Sequence, residues 1–332
     1  MWRTRSRVVF ILLILILLAA SALFGLLTYG LDRDLSPVSG LREGDQMPLC
    51  GVTRKVVVVT DSSVTIPQNL AQELDIRIVP LLLIFGGQTF RDGIDVTPGE
   101  LYRWLRANKH IPTTAAPSVG DFVRVYAAAA REASGILSVH PPPSLSAIYQ
   151  TAVTASQLVD GVSIHVLDSR SAAMAQGFVV LEAARAAATG AELDVVVACA
   201  EEMAAKVRFF AALETLEYLY RGGRIGGAAA LLGSALQIKP ILHLVDGRAE
   251  PFAKPRTRRK AIRCMLQAMA EQVDGRPVHA AVLHADAAQE AEALKQRLAK
   301  QFNCVELYVT EFTPVMGAHT GPGLLGIAFY TD

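Results

Sequence analysis

Four consecutive valines, Val56-Val57-Val58-Val59, open a stretch in which short β-rich apolar runs alternate with amphipathic segments to the end of the chain. Such alternation is what strand-helix-strand units around a mostly parallel sheet produce, because strands covered on both faces read as continuous apolar runs. The first strand ends in Thr60-Asp61-Ser62-Ser63, Pro67 starts a short helix to Leu74, and residues 76–85 read as a second strand. Thr97 and Glu100 have capping-box spacing for a helix through Asn108, and Ser118 with Asp121 repeats the device for a helix to about Ala133. Strands at 136–139 and 162–167 enclose a helix at about 145–159, and helices over 171–189 and 194–207 follow, which makes this half doubly wound.

Beyond Phe209 the texture changes. Gly222-Gly223-Arg224-Ile225-Gly226-Gly227 leads into a small-residue helix, then a strand over 240–245 ends at the turn signal Asp246-Gly247. A helix over 256–272, a strand over 278–283, a helix over 287–302 and two closing strands complete the chain. The expected fold is therefore two α/β domains, 55–209 with a mostly parallel sheet and 210–332 with a mixed sheet. Residues 1–54 are set apart as an N-terminal segment and linker.

That segment carries 8–31 without a charged residue, preceded by Arg3, Arg5 and Arg7 and followed by Asp32 and Asp34. It is long enough for a transmembrane helix at about 8–29, and the positive-inside rule would place the rest of the chain outside the membrane. A cleaved signal peptide with Ala20-Ser21-Ala22 as its processing site is the alternative. A start of translation at Met47 would remove the segment and return the protein to the cytoplasm. The expected location is thus a single-pass membrane protein, with the cytoplasm as alternative.

Net charge is +1 and the longest basic cluster is Arg256-Thr257-Arg258-Arg259-Lys260, so there is no electrostatic footprint for nucleic acid. Cys50, Cys199, Cys264 and Cys304 are far apart and form no CxxC, which points to neither zinc nor a disulfide framework. His279 and His284 fall on opposite faces of one strand and cannot share a metal; His110, His140, His165 and His243 read as structural or solvated.

Three loops carry chemistry. Gly317-Ala318-His319-Thr320-Gly321-Pro322-Gly323 surrounds an imidazole with residues that permit positive φ and close approach to a ligand, or form a plain tight turn. Arg224, among glycines, suits a carboxylate or phosphate; the spacing of a nucleotide-binding loop is missing. Ser144-Leu145-Ser146-Ala147 sits at a loop-to-helix junction where a hydroxyl and free N–H groups favour an anion, or where a serine simply caps. Ser146 with His319 would supply two of the three parts of a serine hydrolase, without a GxSxG.

In order along 55–332, Val59-Thr60-Asp61-Ser62, Phe90-Arg91-Asp92-Gly93-Ile94-Asp95, Pro112-Thr113-Thr114, Pro117-Ser118, Leu145-Ser146, Tyr149-Gln150, Leu216 with Tyr218-Leu219, Gly222-Gly223-Arg224-Ile225, His284-Ala285-Asp286 and His319-Thr320-Gly321-Pro322-Gly323 together resemble the DegV family of bacterial fatty-acid-binding proteins. The resemblance implies one long-chain fatty acid in a tunnel between two domains, with Thr114, Ser146, Arg224, His319 and the backbone N–H of Ala147 around its carboxylate. It also implies a non-catalytic role without metal or cofactor, presenting the acid to an ATP-dependent fatty acid kinase subunit similar to dihydroxyacetone kinases. With the anchor, the alternative role is a membrane-tethered, extracytoplasmic lipid carrier or sensor. Ala115-Ala116, Pro142-Pro143 and Ala147-Ile148 stand where the family usually has Ser-Gln, a Ser pair and Gly-Thr, a change toward a narrower carboxylate pocket or a weaker polar network around it.

Overall fold

Strand β1 (Val56–Asp61) is buried along its whole length in the computed structural model, as a central parallel strand covered on both faces must be. The structure describes residues 55–107, 110–232 and 238–332. Helix α1 (Gln68–Glu73) leads to β2 (Arg77–Val79). The single strand expected over 76–85 is two strands in different sheets, because Pro80 has no N–H for a ladder. β3 (Leu82–Phe85) then turns into β4 (Gln88–Arg91) through Gly86 and Gly87 at φ 59° and 76°, as a tight hairpin demands.

Helix α2 (Pro98–Ala107) starts at the Thr97–Glu100 box, whose side chains and backbone amides exchange hydrogen bonds. The segment before the next helix holds β5 (Thr113–Ala115), which pairs with β3 to give an antiparallel sheet in the order β4-β3-β5. Helix α3 (Val119–Ala129) has the expected Ser118–Asp121 box. With β6 (Gly135–His140), α4 (Ile148–Ser156) and β7 (Ser163–Asp168), the parallel sheet is complete in the order β2-β1-β6-β7. The chain moves outward from β1 in both directions. The loops leaving the carboxyl ends of β1 and β6 therefore diverge and leave a crevice, the usual ligand position in open α/β sheets.

Helix α5 (Ala173–Ala188) is buried nearly all round and packs on β1 and β6, and α6 (Leu193–Lys206) lies against it. β8 (Arg208–Ala212) begins a second sheet and straddles the expected division at residue 209. Then come α7 (Glu217–Arg221), a 3-10 turn at Gly226–Leu231, and the hairpin β9 (Ile241–Val245) and β10 (Arg248–Ala253), whose turn residues Asp246 and Gly247 have φ 47° and 75°. Helix α8 (Arg258–Val273) is capped by Thr257, so the basic cluster opens a helix as expected. β11 (Val278–His284), α9 (Ala288–Gln301), β12 (Cys304–Glu311), α10 (Pro314–Thr320) and β13 (Leu325–Thr331) finish the chain. The second sheet runs β10-β9-β8-β13-β11-β12 and is antiparallel except for β11 and β12. One face packs on α8 and α9 through Phe210, Met265, Met269, Val282 and Leu294. β13 also meets α5, so that helix touches both large sheets. Its burial on every side explains its apolar circumference.

The α/β architecture, parallel sheet first and mixed sheet second, agrees with expectation; the expected membrane helix has no counterpart among the described residues. Among the described residues no helix is long and apolar enough to cross a bilayer. The longest, α5 and α8, have 16 residues each, roughly 24 Å at 1.5 Å per residue against a hydrocarbon core of about 30 Å. The anchor expected at about 8–29 lies outside the described residues. The expectations built on it, a single-pass membrane location, a membrane partner and a tethered carrier, are withdrawn with it.

Candidate functional site

The crevice above β1 and β6 continues into a cavity, with about 130 Å³ of room for the centres of water-sized molecules, whose walls are mostly apolar. Leu81 and Ile148 line it from the side of the parallel sheet, Phe209, Ala211 and Leu242 from the mixed sheet, and Phe312, Val315 and Met316 from α10 and its approach. Thr114, Ser146, Arg224 and His319 line it too, which brings four of the five expected site residues to one cavity. Ala147, the fifth, is solvent-exposed and outside the lining; it caps α4 without a side-chain bond.

His319 is not in a turn. It occupies the last turn of α10, and Gly321 ends that helix at φ 69°. Its Nε2 is 2.7 Å from Thr114 Oγ1 on β5, a bond between residues 205 apart in the chain. Burial and the neighbouring Arg224 charge push the imidazole down to about 4, so it is neutral at pH 7. Nδ1 is buried with no hydrogen-bond partner and faces Gly222, where a Cβ would overlap the ring. The less costly tautomer carries the proton on Nε2: the ring donates to Thr114, and the orphan is a lone pair rather than an N–H. Thr114 then keeps its own hydrogen for a ligand oxygen.

Arg224 is drawn in by the fold of its glycine run. Its Nη1 donates to Gly222 O at 2.7 Å and its Nε to Leu145 O at 3.2 Å, so the cation stands beside the Ser146 loop. Ser146 Oγ accepts weakly from Ile148 N at 3.3 Å. Ser144 is a tie rather than a ligand, donating to Gly247 O at 2.5 Å and joining the β6 loop to the β9–β10 turn. Pro142 packs against the same glycine, 2.7 Å from the position of a Cβ there.

His243 borders the cavity, but it shares a face of the sheet with its register partner Phe210, the face that packs on α8 and α9, and its ring packs on Phe210 and Phe252. His140, read as structural, is fully buried between Asp61 Oδ2 and Ser138 Oγ, each at 2.7 Å. Ser63, also on the wall, donates to Asp61 and was not singled out from sequence, since a hydroxyl after a strand looks like any other. Among the described residues no cluster could hold a metal, and the three described cysteines are unpaired.

Because the folded state resists protonation of His319, the empty protein should lose stability as pH falls from about 7 toward 4, by ~2 kcal/mol between pH 7 and 5 for this group. Asp92, raised to about 6 by burial, acts oppositely: it binds its proton more tightly when folded, so its contribution falls as pH rises from about 4 to 6. Urea midpoints at both pH values for the parent and His319→Gln isolate the histidine; an identical pH response in the two would refute its assignment.

An α/β binding protein with two large sheets around an apolar cavity, lined also by hydroxyls, a neutral imidazole and a guanidinium, is the class that this geometry defines. The chain belongs to the DegV family: the family model described as "Uncharacterised protein, DegV family" matches residues 55–332. A DegV domain-containing protein of Streptomyces coelicolor is 39% identical over 278 residues, 83% of this chain and 98% of the relative. The fold is similar to that of a DegV family protein from Thermus thermophilus described by its fatty acid binding, with TM-score 0.80 and 36% identity over 84% of this chain and all of that one (100%). It is also similar to DegV of Bacillus subtilis, described as a fatty acid binding protein, with TM-score 0.79 and 32% identity over 84% of this chain and 100% of that one.

Proposed function

We propose that this protein binds a single long-chain fatty acid, with its acyl chain in the cavity and its carboxylate at the Thr114, Ser146, Arg224 and His319 end. The observation that carries the reading is the 2.7 Å Thr114–His319 pair beside Arg224 at the polar limit of an otherwise apolar cavity. A carboxylate removed from water must be paired and hydrogen-bonded to stay ionised, and an arginine with hydroxyl donors meets both needs. About 15 methylenes at ~0.8 kcal/mol each supply on the order of 10 kcal/mol before ordering costs, so affinity comes chiefly from the chain and orientation from the polar end. The N–H of Ala147, at the start of α4, belongs to this reading as an additional donor.

The role is that of a carrier. Ser146 and His319 share no hydrogen bond: the hydroxyl accepts from Ile148 N and the imidazole pairs with Thr114, so the base that a serine hydrolase needs is engaged elsewhere. Presentation of the acid to an ATP-dependent, dihydroxyacetone-kinase-like subunit, and the division into domains 55–209 and 210–332 on either side of the cavity, complete the proposal.

Native mass spectrometry of protein purified from cells should show a complex heavier than the polypeptide by one fatty acid. A protein that is empty and takes up no fluorescent fatty acid would overturn the reading. Formation of an acyl phosphate with ATP and such a kinase, dependent on this protein, tests the partner separately.

A further inference from the structure

We infer that Asp92 is a positioning residue for the proposed carboxylate site, a buried carboxylate that clamps the small sheet bearing Thr114 to the helix bearing His319. The inference rests on the fatty-acid reading above. Asp92 follows β4 directly and is 2% exposed. Its Oδ2 accepts from Ser62 Oγ at 2.6 Å, just beyond the end of β1, and its Oδ1 accepts from Val315 N at 2.9 Å, in the first turn of α10. Its own N–H donates to Leu81 O at 2.8 Å, while Leu81 N donates to Ser62 Oγ at 3.0 Å. One side chain thus ties together the exit of β1, the β3–β4–β5 sheet and α10.

Val315 and His319 are one helical turn apart, on the same face, and both line the cavity. Fixing the N–H of Val315 fixes where the imidazole stands relative to β5, and so holds the pair with Thr114. Helix α10 packs on β3 and β5 on one side and on α2 and α7 on others, which leaves its axial position to be set at its ends. A carboxylate suits this place because the groups aimed at it are donors and it needs none in return. Burial makes the choice costly and lifts the carboxyl to about 6; hydrogen bonding from Ser62, Val315 and the Thr313 hydroxyl opposes the rise, while the Asp61 charge adds to it. Neighbouring Arg91 is engaged with Asp95 instead.

Asp92→Asn keeps size and one acceptor but points an NH2 at Ser62 Oγ, which already accepts from Leu81 and must give up its donor role. The expected result is about tenfold weaker binding of a fluorescent fatty acid, the scale of one charge-assisted hydrogen bond. The His319 ring should also change: its side-chain nitrogen NMR signals move toward a mixture of tautomers, and its titration midpoint rises from about 4. A clamp that serves stability alone would lower the urea midpoint and leave both readouts in place. Asp95→Asn, at a carboxylate bonded to exposed Arg91, should change neither. Should Asp92→Asn fail to fold, Ser62→Ala removes one arm of the clamp and is read the same way. Unchanged affinity and ring signals in a folded variant, with His319→Ala weakening binding, would overturn the positioning role. Unchanged affinity in His319→Ala as well would overturn the site and the clamp with it.

Discussion

Arg224→Ala is expected to weaken fatty-acid binding by roughly 30- to 150-fold, about 2–3 kcal/mol, while leaving binding of the matching fatty alcohol nearly unchanged. Among the described residues that line the cavity Arg224 is the one fixed cation, because the imidazole beside it is neutral at pH 7. Removing it leaves a carboxylate facing hydroxyls alone, in a place where water is scarce. The loss stays at the lower end of values for buried pairs because Arg224 is itself partly exposed. Losing the guanidinium should also let His319 titrate higher, since that charge is one of two causes of its depression. Paired titrations with a fluorescent acid and alcohol decide the matter. Equal losses for the two would show that the side chain shapes the cavity without pairing the charge.

Gly321→Ala should cost about 3–5 kcal/mol of stability. Gly321 closes α10 at φ 69° and ψ 172°, a region open essentially to glycine alone. A Cβ there would also overlap the ring of Tyr218 on α7. Strain and collision add at this position. Gly275→Ala separates them, since Gly275 has φ 74° with nothing within 4 Å of a Cβ, and should cost only about 1 kcal/mol. Urea unfolding of both variants provides the comparison, and equal losses would show that the Tyr218 contact relaxes freely.

The elements legible in the sequence are those with a local cause. Both capping boxes formed where their spacing placed them, the valine run became a buried parallel strand, and the Asp246-Gly247 signal became a hairpin. Errors fell where the cause is tertiary. β5 has three residues and exists because β3 offers it an edge; α10 has seven and is held by α2, α7 and Asp92, so neither has a period long enough to read. The strand over 76–85 was over-extended because its apolar pattern continues through Pro80 while its hydrogen bonding does not. The site shows the same division. Arg224 and Ser146 announce themselves through glycines and a helix start, whereas nothing local ties Thr114 to His319; the resemblance implies only that both surround one carboxylate, and their hydrogen bond is a finding of the fold.

β13 occupies the middle of the mixed sheet, between β8 and β11, yet its residues 325–331 leave the ribosome after those of every other strand described. Until they emerge β8 and β11 have no neighbour to join them, and α5, which needs β13 as well as β1, carries an uncovered apolar flank. The early half of the chain must therefore wait during synthesis with a sticky helix and an open sheet, the situation in which nascent chains need chaperones. Losing residues 325–331 would therefore remove the keystone of the second sheet.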